Sequence, residues 1–141
     1  MSYNDVYLID TSAWILVLRP NAPEKAKTLV DELLAADRAA TTDVIFLELL
    51  AGSKTEGEFQ ELRQDLEAVI YFPITPELWI NAARLYFALR KKGITVPTMD
   101  VLIATTALEN GAGVVHADKH FEMISSHTGL KTRDLLELTS H

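Results

Sequence analysis

Val6-Tyr7-Leu8-Ile9-Asp10-Thr11-Ser12 is the stretch that decides how the rest of the chain is read. Four residues suited to a buried strand give way to a carboxylate and two hydroxyls, and an amphipathic run starts at Ala13-Trp14-Ile15-Leu16. A strand that delivers an acid to its C-terminal end, just before a helix, places that acid at the functional rim of a parallel α/β sheet.

Outward from this stretch, helical and strand patterns alternate. Thr11 or Ser12 caps a helix to about Leu18, closed by Arg19-Pro20-Asn21. From Pro23 to Ala36, Ala26, Leu29, Val30, Leu33 and Leu34 keep the spacing of one buried helix face. Residues 38–42 form a short second strand. Thr42 or Asp43 opens a helix through Val44-Ile45-Phe46-Leu47-Glu48-Leu49-Leu50-Ala51, stopped by Gly52 and apolar enough to be buried on all sides. Residues 55–69 are amphipathic, with Phe59, Leu62, Leu66 and Val69 as the stripe. Ile70–Ile74 reads as a third strand, near an edge because of Pro73. Thr75-Pro76-Glu77 starts a helix that ends at Lys92-Gly93, with Leu78, Trp79, Ala82, Leu85, Tyr86 and Leu89 inward. Another apolar helix runs from Thr98-Met99-Asp100 to Leu108, ended by Asn110-Gly111. Gly113–His116 is a strand, and Leu130–Leu138 adds an edge strand and a last helical turn. The alternation predicts one α/β domain over residues 1–141, with a parallel sheet covered on both faces.

Composition sets bounds on function. The 141 residues are 48% hydrophobic with six Gly and five Pro, which favours a packed globule over disorder. Without cysteine there are no disulfides or thiolate metal sites. Met1-Ser2-Tyr3-Asn4-Asp5 lacks a basic leader region and no apolar run suits a membrane span, so a soluble cytoplasmic protein is expected. A net charge of −7 argues against a broad basic surface for nucleic acid. It leaves room for local contact with phosphates, because divalent cations reverse the sign of an acidic pocket.

Most of the 20 acids sit on polar helix faces; four do not. Glu48 is the only charge between Val44 and Ala51, and loses hydration unless a cation or donor meets it or the helix has a wet stripe through Glu48 and Ser53. Asp10 can cap the helix after its strand. Asp100 stands in the first turn of its helix, where the dipole favours an acid. Asp118 follows the strand Val114–His116 and suits an ordinary turn. Taken singly these readings compete with function; taken together they converge. Asp10 and Asp118 both reach the C-terminal edge of the sheet, Asp100 opens the helix leading into the Asp118 strand, and Glu48 lies on a helix close to the sheet. Carboxylates so crowded call for hard divalent cations, and oxygen-only ligation selects Mg2+ or Mn2+ over zinc.

Ile9-Asp10-Thr11-Ser12-Ala13, Phe46-Leu47-Glu48-Leu49-Leu50-Ala51-Gly52, Met99-Asp100-Val101-Leu102-Ile103-Ala104 and His116-Ala117-Asp118-Lys119-His120-Phe121 resemble, in order and spacing, the motifs of PIN-domain ribonucleases. The compact length and the Glu-Leu-Leu-Ala-Gly run look most like the VapC-type toxins of toxin–antitoxin pairs. The resemblance implies a PIN-like (Rossmann-like) three-layer fold, Mg2+-dependent cleavage of RNA with Mn2+ able to substitute, and inhibition by a small cognate antitoxin. It implies that Asp10, Glu48, Asp100 and Asp118 are the acidic quartet and that Ser12 supports the site. Thr98 matches a small polar position, and His120 stands where many relatives carry another acid. Arg19, Arg84 and Lys119 are candidates for RNA phosphates, whereas Arg90-Lys91-Lys92 suits a helix C-terminus. Trp14 and Trp79 are expected in the core, and His116, His127 and His141 outside catalysis. The 55–69 stripe is mostly core, and any surplus beyond what the core can bury would form a homodimer or antitoxin surface.

Rival readings use the same residues. A DNA nuclease or phosphohydrolase needs the same acidic pocket. A silent PIN-like binding module has no use for one, and a receiver-like phosphoacceptor needs a lysine that Lys119 supplies poorly. No P-loop, G-x-G-x-x-G pattern or Ser-His-Asp arrangement competes.

Overall fold

A computed structural model describes residues 5–139; Met1–Asn4, Ser140 and His141 lie outside the described residues. The elements in chain order are β1 (Tyr7–Ile9), α1 (Thr11–Leu18), α2 (Glu24–Ala35), β2 (Ala39–Thr42), α3 (Asp43–Ala51), α4 (Glu56–Glu67) and β3 (Ile70–Phe72). They continue with α5 (Pro76–Lys91), α6 (Thr98–Glu109), β4 (Gly113–His116), α7 (His120–Ser125) and β5 (Thr132–Asp134), and a 3-10 turn at Leu135–Thr139. The five strands form one sheet in the order β3-β2-β1-β4-β5, and every pairing is parallel.

The chain builds outward from β1 to β3, then crosses back to start again at β4 beside β1. Parallel neighbours require crossovers, and these are right-handed almost without exception. Reversing direction therefore switches the helices to the other face. Accordingly α1 packs with α2 and α3, and α3 with α4, while α6 packs with α5 and α7. The central strands are dry: Leu8, Ile9, Val114 and Val115 have no exposed surface. β3 is an edge strand as expected, and Pro73 falls just past its end, where no ladder bond is lost.

Local chemistry fixes the helix ends. Thr75 Oγ1 accepts from the Leu78 N–H at 3.2 Å, and Thr55 Oγ1 from Glu58 N–H at 3.1 Å. After α5 and α6, Gly93 (φ 82°) and Gly111 (φ 64°) take the left-handed conformation that lets the chain turn away.

Two expectations need correcting. The helix buried all round is α6, continuously buried from Val101 to Ala107, and not α3. Its two buried threonines donate their hydroxyls to carbonyls one turn back: Thr105 to Val101 at 2.7 Å and Thr106 to Leu102 at 2.8 Å. α3 buries Ile45, Leu49 and Leu50 but turns Leu47 outward, 68% exposed. Trp14 is core as expected, whereas Trp79 is 51% exposed, because Leu78 and Ala82 already fill the side of α5 that meets Leu102. The 55–69 stripe is core as expected: Leu62 and Leu66 are buried and Phe59 and Val69 pack against the core. Exposed apolar side chains include Ile15 and Leu18 on α1, Leu47 on α3 and Trp79, Ile80 and Phe87 on α5.

Candidate active site

The point where the chain reverses direction, between β1 and β4, opens a crevice beyond the strand ends. Asp10 follows β1 directly and is 4% exposed. It is both a cap and a member of the crevice: Oδ2 accepts from the Ser12 N–H at 3.0 Å and from Ser12 Oγ at 2.5 Å. Burial pushes the Asp10 carboxyl up from its ordinary value against the pull of these bonds, and the charges of Glu48 and Asp118 push the same way.

Asp118 lies two residues past β4. Its carboxylate Oδ1 accepts from the His120 N–H at 3.0 Å, closing a tight turn that folds the His120 ring back over it. The ring nitrogen Nδ1 of His120 stands 2.8 Å from Asp118 Oδ1 and 3.4 Å from Asp100 Oδ2. Asp100 sits in the first turn of α6, after Pro97 and the exposed Thr98. Its carboxyl is pushed up to about 8, first by burial, then by the Asp118 charge, with Asp10 and Glu48 adding to it. Burial also raises Asp118, but the His120 N–H, a bond from Asp100 and the His120 charge outweigh it and leave the group lowered. Asp100 therefore keeps the proton that the pair shares.

Glu48 is reached from the opposite side. It is exposed on α3, so the wet-stripe reading of this helix holds, with Leu47 and Ala51 beside it rather than Ser53, which is half-buried. Thr11 Oγ1 donates to Glu48 Oε1 at 2.7 Å and ties α3 to the start of α1. The crevice thus gathers Asp10, Glu48, Asp100 and Asp118, each of which loads its neighbours electrostatically. Lys119 is exposed beside Asp118, Arg84 is exposed in the middle of α5, and Arg19 ends α1 at the far end from Asp10.

The donors present suit a hard cation. They are carboxylate oxygens, and Asp100 Oδ2 is buried with no hydrogen-bond partner, as is His120 Nδ1. Ligand atoms of Asp100, Asp118 and His120 all lie within 4.8 Å of one another.

One contributor escaped the sequence reading. His116, fully buried at the end of β4, accepts the Asp118 N–H on Nδ1 at 3.1 Å. Its proton therefore resides on Nε2, which donates to Glu122 Oε2 at 2.7 Å. The spacing of His116 and Glu122, two residues before and two after the Asp118–His120 turn, was the available signal.

A model of the PIN domain family matches residues 7–126. Ribonuclease VapC11 of Mycobacterium tuberculosis is 32% identical over 130 residues, covering 88% of this chain and 95% of that protein. Ribonuclease VapC51 of the same organism is 32% identical over 126 residues, covering 87% and 88%. Among solved structures, the fold is similar to DNA-bound VapBC from Salmonella typhimurium, with a TM-score of 0.76 at 21% identity over 92% of this chain and 98% of that one. VapBC-1 from nontypeable Haemophilus influenzae gives a TM-score of 0.74 at 24% identity over 93% and 98%. A parallel sheet with its crevice at β1/β4, a family match across most of the chain and relatives aligned nearly end to end lead to one assignment: the chain belongs to the PIN-domain family, and within it to the VapC group.

Proposed function

We propose that this chain is a metal-dependent endoribonuclease, using Mg2+ or Mn2+ at Asp10, Glu48, Asp100 and Asp118 to hydrolyse RNA phosphodiester bonds, and that it is the toxin of a toxin–antitoxin pair. The observation that carries the reading is the gathering of four carboxylates at one crevice, where burial first and the neighbouring negative charges after it push the Asp100 carboxyl up to about 8. A bound divalent cation relieves that crowding, polarises a phosphoryl oxygen and acidifies a water. The names of the relatives as ribonucleases favour RNA over DNA or small phosphoesters.

The protein residues divide the remaining work. Asp10, Asp100 and Asp118 hold the cation, and Ser12 keeps the Asp10 carboxylate turned toward it. Glu48, steadied by Thr11, completes the negative wall from α3. Lys119 is the cation nearest the acids in the chain and meets an RNA phosphate; Arg19 and Arg84 reach only a strand that extends beyond the crevice. Thr98, exposed at the start of α6, shapes the entrance without a capping bond.

A groove of about 510 Å³ between α1 and α4 suits the antitoxin. Leu18, Pro20 and Leu62 form its apolar lining, and Glu58, Glu61 and Asp65 outnumber Lys54 at its edge. Burial and the neighbouring Glu61 charge raise the Asp65 carboxyl, a sign of unrelieved like charge. An antitoxin segment bearing apolar and basic side chains fits this chemistry. The apolar face of α5 is assigned to a second copy of the chain.

The deciding experiment is RNA cleavage with Mg2+ or Mn2+, with EDTA, and with Asp10→Asn or Asp100→Asn. Metal-dependent cutting that both substitutions abolish is expected; full activity in EDTA or in either variant overturns the mechanism. Expression that arrests growth, relieved by a small neighbouring gene, tests the toxin role.

A further inference from the structure

The crevice holds one donor that is not an oxygen. Resting on the metal-site reading above, we infer that His120 Nδ1 is a direct ligand of the cation, making the centre a mixed nitrogen–oxygen site that prefers Mn2+ to Mg2+.

Three observations support this. His120 Nδ1 and Asp100 Oδ2 are both buried and both lack a hydrogen-bond partner, although they face one another at 3.4 Å. Nδ1 also approaches Asp118 Oδ1 to 2.8 Å as an ion-pair contact, without a hydrogen bond to it. Two unmet buried polar atoms side by side are costly unless something between them answers both. A cation does so.

The separations fit one ion. Two adjacent ligands of an octahedral ion, each about 2.1 Å from the metal, stand about 3.0 Å apart. The distances of 2.8 and 3.4 Å from Nδ1 to the two carboxylate oxygens bracket that value. The His120 N–H is bonded to Asp118 Oδ1 at 3.0 Å, so the Asp118-Lys119-His120 turn presents the imidazole and the carboxylate as a preformed pair.

The choice of metal follows from the donor. Mg2+ binds oxygen and keeps its waters, whereas imidazole suits the first-row transition metals. A centre with one imidazole should therefore discriminate between Mn2+ and Mg2+ more than a carboxylate-only crevice would.

The test uses the full-length chain loaded with Mn2+ and read by pulsed electron paramagnetic resonance, together with calorimetric Kd values for Mn2+ and Mg2+. Wild-type protein is expected to show nitrogen hyperfine coupling, changed by 15N-histidine labelling and absent in both His120→Ala and His120→Gln. The Gln variant keeps a polar side chain of similar reach and guards against loss of fold, checked by circular dichroism. The Kd ratio of Mg2+ to Mn2+ should fall about tenfold in either variant. Mn2+ bound without nitrogen coupling in the wild type overturns the inference, as does coupling that survives in both variants. RNA cleavage by a wild type lacking that coupling would leave the nuclease reading standing while this one falls.

Discussion

Ser12 Oγ accepts the backbone N–H of Ala117 at 2.9 Å, across 105 residues of sequence, while donating to Asp10 Oδ2. One hydroxyl thus joins the end of β1 to the turn after β4 and sets the distance between the two strand-end carboxylates. Ser12→Ala should strand the Ala117 N–H and cost about 1–3 kcal/mol of stability. It should also weaken Mn2+ binding by about tenfold or more. Denaturant melts and calorimetry check both; an unchanged metal affinity would reduce Ser12 to a structural bridge between Asp10 and the turn after β4.

Asp100 gives the metal-free protein a distinctive pH dependence. The folded chain keeps this proton up to about 8, whereas the unfolded chain releases it near 3.8. Between those values the native state binds more protons, so the group's contribution makes stability fall as pH rises. Asp10, also raised, acts in the same direction. Asp118, lowered, contributes stability that is lost only under acid conditions. In EDTA, the Tm should decline from about pH 5 to about pH 8, and Asp100→Asn should flatten that decline. Mn2+ binding near neutral pH should release a proton, seen as a binding heat that varies with the buffer's ionisation enthalpy. A heat independent of buffer would contradict the protonated Asp100.

Gly113 tests the packing of the two central strands. A Cβ there would lie 2.5 Å from the Tyr7 ring and 2.8 Å from the Lys131 carbonyl oxygen, because Gly113 pairs with Tyr7 in register. Tyr7 is itself buried, so it has no space into which to move. Gly113→Ala should destabilise the chain by about 1–3 kcal/mol. Gly129→Ala, with nothing within 4 Å of its Cβ position, is the control and should be near neutral. Equal effects of the two substitutions would refute the close approach.

Trp79 (51% exposed), Ala83 and Phe87 (61% exposed) recur every four residues on α5. An aromatic stripe of this kind is the sort of anchor that dominates association energy. Light scattering should find a dimer, and Trp79→Glu with Phe87→Glu should weaken it by about 2 kcal/mol per aromatic, enough to leave monomer at micromolar protein. A wild type that is monomeric throughout, or a double variant that stays dimeric, removes this face as the interface.

Asp10 and Asp118 were legible in the sequence because an apolar strand ending in an acid is a local pattern with a spatial meaning. The helix boundaries were legible where a cap or a glycine marked them, as at Thr75 and Gly93. Glu48 was found by reasoning that only half holds. The apolar run around it reflects composition, not direction, and α3 turns Leu47 outward while keeping Glu48 at the crevice rim. Trp79 misled for the same reason, since a helical stripe that serves a partner has the same period as one that serves the core. α7, six residues long, is too short to show a period at all. The Ser12–Ala117 bond depends on a contact made through space, across 105 residues, which no spacing encodes.

The four acids differ in how firmly they are held. Asp10 is buried under two bonds from Ser12, whereas Glu48 stands in solvent on a single bond from Thr11. Mechanically, the crevice has a fixed jaw and a sprung one. Ions of different radius, or a phosphate arriving beside them, should be accommodated by displacement of Glu48 and of α3 behind it, while the β1 side keeps its position. The reference frame for cleavage is thereby the sheet, and the adjustable part is the helix that also carries Leu47 to the surface.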